Sequence, residues 1–354
     1  MRRFFRFLGT VLGLLVLAFV SFYFFAKSPT RPISAYLTFH TYTDPFPTPA
    51  RSDTFSVMTY NIGYLSGMTN NLPVEIDPSL YAANLGHAMN LLRQYTPDIV
   101  AFQEIDFDAH RSQYINQLDT LAQLLDYHAA AGAINWDKRY VPFPYGLPSV
   151  NYRQIVSGQG VLSRYQIARN ERVTLEKPPA PFYYNALYLD RLVQVTEVKL
   201  AESIIVMNVH LEAFDAGTRQ RQAEVVRAMF DAYAEDYPVV LLGDFNAPMA
   251  AQQALAADPG VAEESAYAGD NTTGILLGAE AIAEVFPDSL YAQMNLGTYP
   301  ADDPRFKIDH IFYSTAHFDL VDAEVVRVAN EPSDHSAVVA RLVFKPEPNA
   351  DAVD

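Results

Sequence analysis

Val239-Val240-Leu241-Leu242-Gly243-Asp244-Phe245-Asn246 runs four apolar, strand-forming residues straight into a glycine, an aspartate and an asparagine. Such a run predicts a buried strand that ends in a turn and points polar groups off the strand end into a cleft. Asp244 can hold a metal or take a proton from water. Asn246 can donate two hydrogen bonds to a phosphate oxygen. One turn of this kind is also ordinary strand-to-loop punctuation. Four other polar strand ends give it weight: Asn61 after the strand 55–60, Gln103-Glu104 after 99–102, Asn208 and His210 closing 204–209, and Asp309 with Asp334-His335 late in the chain.

These groups lie far apart in sequence, so only a fold can gather them, and each sits where an apolar strand meets a loop. The inventory is rich in oxygen, holds two histidines and has no thiol. Glu104 with Asn61 and Asp334 suits a hard cation, Mg²⁺ or its substitute Mn²⁺. A zinc site would ask for more histidine at ligand spacing, and the chain has no His-x-x-x-His. Asp309 and His335 make an acid–imidazole pair in which the carboxylate fixes the tautomer and raises the basicity of the ring. The set fits attack of water on a phosphodiester, with Asp244 or His335 orienting the water and Asn246 and His210 binding the developing charge.

The remaining pattern alternates strands and helices. Helices are predicted over 79–95, ended by Pro97, over 112–125 and over 218–233. Strands are predicted over 160–163 and 307–313, with a last one over 337–344. A hairpin is expected from 183–189 and 192–198 around Asp190-Arg191. Residues 127–156 break the regular pattern with Trp136, Tyr140, Phe143, Tyr145 and Tyr152 among prolines. They read either as a structural flap or as a wall facing substrate. Residues 255–295 read as variable loop and short helix, and the polar tail 346–354 as frayed.

Before that domain, Arg2, Arg3 and Arg6 precede residues 7–26, which carry no charge. Twenty residues at helical rise match the roughly 30 Å apolar core of a bilayer. A cleaved signal peptide would have a shorter apolar region and a small-x-small exit. Here the exit is the bulky Phe22-Tyr23-Phe24-Phe25-Ala26-Lys27, which favours an uncleaved anchor. The arginines favour a cytoplasmic N-terminus with the rest of the chain across the membrane, although Lys27 and Arg31 flank the other side. Residues 28–52, with five prolines, read as an extended juxtamembrane spacer, or around 35–43 as a first strand pinned to the domain. The domain organisation is therefore an anchor (1–27), a linker (28–52), a catalytic domain (53–345) and the tail.

Composition narrows the partners. The chain has 354 residues, half of them hydrophobic, and no cysteine. A large core is available, and disulfides, thiolate metal sites and cysteine nucleophiles are excluded. Outside the first 27 residues, 21 basic residues face 41 acidic ones, a formal charge of −20. Phosphate-backbone binders carry a basic patch, so nucleic acid is a poor first guess.

The ordered motifs Thr59-Tyr60-Asn61, Ala101-Phe102-Gln103-Glu104, Asn208-Val209-His210-Leu211, Gly243-Asp244-Phe245-Asn246, Lys307-Ile308-Asp309-His310-Ile311 and Ser333-Asp334-His335 resemble the endonuclease/exonuclease/phosphatase superfamily. That superfamily includes pancreatic-type deoxyribonucleases, apurinic-site endonucleases, neutral sphingomyelinases and inositol polyphosphate phosphatases. The likeness covers about 53–345. It implies an α/β (α+β) fold, a two-sheet β-sandwich flanked by helices in four layers, here preceded by one transmembrane helix. It implies Glu104 as principal metal ligand with Asn61 beside it, and Asp334 completing the metal side. Asp244 would activate water, and Asn246 would hold the water or a phosphate oxygen. His335 paired with Asp309 would contact the scissile phosphate, and His210 would bind phosphate or assist the leaving group. His310 stands at a position that is commonly aromatic, so packing is its expected role. Gly63 stands where many nucleases of the superfamily carry Asp or Asn, and their basic DNA-contacting loops are not evident. The expected activity is a membrane-anchored, Mg²⁺-dependent phosphodiesterase acting on a lipid headgroup or small diester outside the cytoplasm. The alternatives are an extracytoplasmic nuclease and a catalytically silent domain of the same fold.

Overall fold

Val239–Asp244 forms a strand in which every residue is buried. Its side chains alternate between two cores: Val240 and Leu242 face one, Val239 and Leu241 the other. Ile99–Asp106 behaves likewise, sending Ile99 and Ala101 to the first core and Val100 and Phe102 to a third. A strand apolar on both faces must be covered on both faces, and this requirement sets the layers.

The computed structural model describes residues 1–253, 267, 269–278, 281–291 and 294–346. Its strands are β1 (Leu37–Thr41), β2 (Phe55–Asn61), β3 (Ile99–Asp106), β4 (Ala129–Val141), β5 (Arg153–Ser163), β6 (Gln166–Thr174), β7 (Leu192–Lys199), β8 (Ser203–His210), β9 (Val239–Asp244), β10 (Ile282–Glu284), β11 (Asp309–Ser314), β12 (Phe318–Val325) and β13 (Val338–Phe344). A seven-stranded sheet runs β1-β4-β5-β3-β2-β13-β12 and a six-stranded sheet runs β10-β11-β9-β8-β7-β6. Both are mixed: β2–β3 and β8–β9 pair in parallel, the other pairs antiparallel. The sheets stack face to face over a core that includes Val57, Val161, Val206 and Ile311. Helices α2 (Pro78–Tyr95) and α3 (Gln117–Leu124) cover the outer face of the first sheet. Helices α5 (Ala216–Ala234) and α7 (Thr272–Leu277) cover that of the second. The result is the expected helix-flanked α/β sandwich, joined by α1 (Arg2–Lys27), α4 (Phe182–Asn185) and α6 (Ala250–Gln253).

Local chemistry sets the helix ends. Asp77 caps α2 by accepting from Ser79 N at 2.8 Å, Pro78 occupies its first position, and Thr96 closes it in the left-handed region before Pro97. Asp215 caps α5 through Thr218 N at 2.7 Å. Asn116 caps α3, so that helix starts five residues later than the periodicity from Ser112 suggests, and the intervening residues form turns. Buried amides tie the sheets together. Gln103 donates to Asn208 Oδ1 at 2.7 Å, and Asn208 donates to Phe102 O at 3.0 Å. Asn208 is therefore a cross-sheet tie and not part of the cleft.

Three expectations fail here. Residues 127–156 are largely regular: β4 and β5 form a long hairpin and only 142–152 connect them. The opening Ala129-Ala130-Ala131-Gly132-Ala133 has weak strand propensity. Close approach selects those small residues, since a Cβ on Gly132 would sit 2.4 Å from Thr38 Oγ1 and 2.9 Å from the Phe107 ring. The hairpin predicted from 183–198 is also absent. Behind Pro178-Pro179-Ala180-Pro181 the chain makes a helical turn, α4, and Lys177 Nζ binds the carbonyls of Asn185 and Tyr188. β7 instead pairs with β6 and β8. Third, of the two readings of the proline-rich segment after α1, the free spacer fails and the first strand pinned to the domain holds, at 37–41. Thr30 and Arg31 donate backbone N–H groups to Asp137 at 2.7 and 3.1 Å, and β1 pairs with β4 along its whole length. Of the 255–295 reading, α7, β10 and a short turn at Asp288–Leu290 lie within the described residues. Residues 254–266 and the tail beyond 346 lie outside them.

Gly243 is required by this packing. Its φ is +147°, and an added Cβ would lie 2.0 Å from Val209 O on the parallel neighbour β8. Gly243→Ala is expected to cost at least about 4 kcal/mol, read as collapse of soluble yield or of the denaturant midpoint. A variant of unchanged midpoint would contradict this close approach.

Candidate active site

The site forms where strand ends from both sheets meet. β9 places Asp244 in register with His210 of parallel β8 and with Asp309 of antiparallel β11. From the facing sheet, β2 ends in Asn61, paired with Gln103 on β3. Glu104 follows at a break in the β3–β5 register and takes a left-handed φ of 52°. Such a bulge re-aims a side chain, and a strained backbone at a carboxylate is a signature of function. Ser333–His335 arrives on the loop before β13. It is held by Ser333 Oγ, which donates to Asn61 O at 2.7 Å and accepts from His335 N at 3.1 Å.

Asp244 is buried and fixed on both oxygens. Asn61 Nδ2 donates to Oδ2 at 2.9 Å and Asn246 N to Oδ1 at 2.8 Å. Asn246 has a left-handed φ of 50° and its amide donates to Leu211 O at 3.0 Å. His335 Nδ1 lies 3.0 Å from Asp309 Oδ2, which places a proton on that nitrogen. Its Nε2 faces Asp244 Oδ2 at 3.9 Å. His210 Nε2 stands 3.5 Å from Asp244 Oδ2 and 4.0 Å from Glu104 Oε1. Asn70 Nδ2 bridges Glu104 Oε2 at 2.9 Å and both oxygens of Asp334 at 3.2 Å. All eight predicted site residues thus converge on one cleft. Asn61 turns its amide nitrogen toward Asp244 and His335, while its oxygen accepts from Gly63 N at 3.1 Å.

Burial, with the neighbouring Asp334 carboxylate, pushes Glu104 up to about 7. Burial, with Asp309 nearby, pushes Asp244 up to about 6. Asp334 is raised by burial as well. His335 goes the other way from an ordinary buried imidazole: burial pulls it down, but Asp309 and Asp244 hold it well above its usual value. His210 is held well below its own, first by burial and then by Arg191 and His335. Environment alone therefore pushes the two histidines apart, His335 toward the charged form and His210 toward the neutral one.

Two groups of side chains are candidates for a metal. Asp244, Asp309 and His335 offer ligand atoms all within 4.8 Å of one another. His335 Nδ1 is already committed to Asp309 at 3.0 Å, a pairing that suits proton handling better than ligation. Glu104 and Asp334 are the other choice: two partly buried carboxylates sharing one amide, beside Asn70 Oδ1, a buried oxygen that no donor satisfies. Excess negative charge and an orphaned oxygen acceptor fit a hard cation, so the residues present match such a group.

Sequence reading missed Asn70 and Arg191. Asn70 lies in an irregular turn that carries no periodic signal. Arg191 is buried beside Glu212 at 3.5 Å, and its charge acts on both Asp244 and His210. A buried arginine just before a strand leaves no mark in an alternation pattern. Gly63 also takes on a meaning. A Cβ there would meet Asp334 Oδ1 at 2.7 Å and Ser333 Oγ at 2.8 Å, so glycine makes room for the loop that carries Asp334. His310 packs between Phe245 and Phe312, donates to Ala247 O at 2.9 Å and contacts the buried Lys307–Glu284 pair, the supporting role expected of it.

The model of the Endonuclease/Exonuclease/phosphatase family matches residues 58–335, most of the chain and every site strand. The protein belongs to the endonuclease/exonuclease/phosphatase family, whose enzymes hydrolyse phosphoester bonds with divalent metals. No curated protein sequence matches the chain. Among solved structures it is similar to an endonuclease/exonuclease/phosphatase from Beutenbergia cavernae (21% identity, TM-score 0.58, covering 84% of this chain and 73% of that one). It is similar to a family protein from Bacteroides thetaiotaomicron (15%, TM-score 0.54, 83% and 99%). It is also similar to the human Nocturnin catalytic domain, solved with a bound sulfate anion (16%, TM-score 0.54, 89% and 100%). At these identities the likeness concerns the fold.

Proposed function

We propose that the protein is a Mg²⁺-dependent phosphodiesterase, anchored by α1 with its N-terminus in the cytoplasm, that hydrolyses a lipid headgroup ester or a small diester outside the cytoplasm. The observation that carries this reading is the convergence of Asp244, held by Asn61 and Asn246, with the Asp309–His335 pair. A carboxyl held near 6 is mostly ionised at pH 7 yet more basic than an ordinary aspartate, the compromise a general base needs. Asp244 takes the proton of a water that attacks phosphorus, the P–O bond to the leaving oxygen breaks, and that oxygen takes up a proton from solvent to depart as the alcohol. The His335 imidazolium donates to a phosphoryl oxygen, with Asp309 fixing the ring. Neutral His210 and the Asn246 amide stand beside the same oxygens. Glu104 and Asp334, with Asn70 and Asn61 at their side, would hold a divalent cation that neutralises charge on the phosphate.

The lipid preference rests on α1, which is long and apolar enough to cross a membrane, and on an external portion of charge −20. The test is hydrolysis by the full-length protein, in detergent or vesicles, of phospholipids, sphingomyelin, DNA, RNA, bis(p-nitrophenyl) phosphate and phosphomonoesters, with Mg²⁺ or chelator. Diester hydrolysis lost on chelation is the expected result. Cleavage of DNA alone would remove the lipid preference, and activity indifferent to chelator would remove the metal.

A further inference from the structure

After residue 27, the five most exposed large apolar side chains among the described residues are Ile33 (88%), Phe214 (79%), Leu147 (73%), Phe182 (72%) and Tyr145 (70%). No other exceeds 52%. Four of them, Ile33, Tyr145, Phe182 and Phe214, connect through neighbouring residues to the place where α1 leaves the domain. Ile33 follows directly on Thr30 and Arg31, which bind Asp137. Phe182 lies against Tyr23 of α1, ring centroids 5.8 Å apart, while Phe22 packs on Tyr140 at 5.6 Å and Ala26 is fully buried. From Phe182 the aromatic surface continues through Tyr184, stacked on Tyr188 at 5.2 Å, with Tyr145 close enough to act on Tyr184 electrostatically. Tyr188 Oη reaches Glu212 at 3.0 Å, and the same carboxylate accepts from Phe214 N at 3.1 Å.

Basic residues lie beside this surface on a domain that is otherwise strongly acidic. Lys138 is within electrostatic reach of both Lys27 and Lys177, and the exposed Arg139 follows it in sequence. Lys177 is paired with Asp190 at 3.0 Å and Arg31 with Asp108 at 3.3 Å, which leaves Lys27, Lys138 and Arg139 as the bases for lipid phosphate. Exposed aromatic and aliphatic tips beside such long basic side chains match the headgroup level of a bilayer, where aromatic rings sit and lysines snorkel to phosphate. Exposed apolar patches on a folded domain mark contact surfaces, and this one continues the apolar helix that would cross the membrane.

We propose that this collar docks into the interface of the phospholipid bilayer that α1 crosses, holding the domain in a fixed pose with the cleft beside the lipid surface. The proposal rests on the anchor reading given above. It links the membrane to the site through short connections. Glu212, under the collar, pairs with Arg191, whose charge acts on Asp244. On the other side Tyr152 Oη contacts Asn71, next to Asn70 at Glu104.

The chain has no cysteine, so single cysteines report cleanly. Tyr145→Cys, Phe182→Cys and Phe214→Cys in the full-length protein, labelled with an environment-sensitive dye, would be reconstituted into phosphatidylcholine–phosphatidylglycerol vesicles carrying shallow or deep nitroxide lipids. Val16→Cys reports the anchor. Val321→Cys, on β12 at the far edge of the seven-stranded sheet from β1 and β4, reports the solvent-facing side. The expected result is deep quenching at Val16→Cys, at least about twofold shallow quenching at the three collar positions and none at Val321→Cys. Collar labels that match Val321→Cys while Val16→Cys is quenched would overturn the docking and leave the anchor standing. An unquenched Val16→Cys would remove the anchor reading and the collar with it.

Discussion

Asp244→Asn is expected to lower diester hydrolysis by about 10³-fold while the protein still folds, with a loss of stability of about 1–3 kcal/mol. The substitution keeps the shape and the acceptor for Asn246 N, now 2.8 Å away, but sets an amide nitrogen against Asn61 Nδ2, which now donates to the other oxygen at 2.9 Å. What it removes is the group that takes the proton of the attacking water and part of the field that charges His335. Because that group acts as the transition state forms, the loss should fall on kcat with KM nearly unchanged. The pH profile should change with it: a rise through about pH 6, where this carboxyl ionises, should disappear from the residual activity. Rates on bis(p-nitrophenyl) phosphate from pH 5 to 8 decide the matter. A variant that keeps a tenth of the activity and the same acidic limb would transfer the role of base elsewhere.

Much of this cleft was legible in the chain because its chemistry sits at strand ends. Val239–Leu242 and Ile99–Phe102 announce strands apolar on both faces, and the polar residues that follow them must leave the core at the same rim. The fold then needs only register, supplied by the pairing of Asp244 with His210 and with Asp309. What stayed hidden has physical causes. The β4 strand opens on alanines and glycine, chosen for close approach and not for propensity. The α4 turn follows a proline run whose conformation depends on Lys177 reaching its carbonyls. The strands β6 and β12, fully buried at only one and two positions, carry no strong apolar signal. Asn70 enters the site from a loop, where neither period nor burial pattern speaks. The bulge that turns Glu104 toward Asp334 is likewise invisible, since nothing in Gln103-Glu104-Ile105 marks a left-handed residue.

Glu104→Gln should separate the metal from the fold. The amide keeps the bond to Asn70 in altered polarity but loses the charge that would hold a divalent cation. Loss of an outer hydrogen-bond partner already costs 10- to 100-fold in metal affinity, so loss of a ligand charge should cost at least about 100-fold. Stability should move in the opposite sense. In the metal-free protein Glu104 titrates near 7 and Asp244 near 6, both above their unfolded values. The folded state therefore binds protons more tightly than the unfolded one. Stability from this source is complete below about pH 4 and is lost as pH rises through 6 and 7. Glu104 is almost enclosed, with its side chain 14% exposed, and its share is on the order of 2 kcal/mol. Chelator-treated wild-type protein should unfold more readily at pH 8 than at pH 5.5, and Mg²⁺ should restore most of the difference by neutralising the carboxylates that pH has exposed to one another. Glu104→Gln should show a flatter pH dependence, higher metal-free stability at pH 8 and almost no response to Mg²⁺. If the variant keeps the full Mg²⁺ response, the cation is held by Asp244, Asp309 and His335, and those three residues would have to be reassigned from proton transfer to ligation.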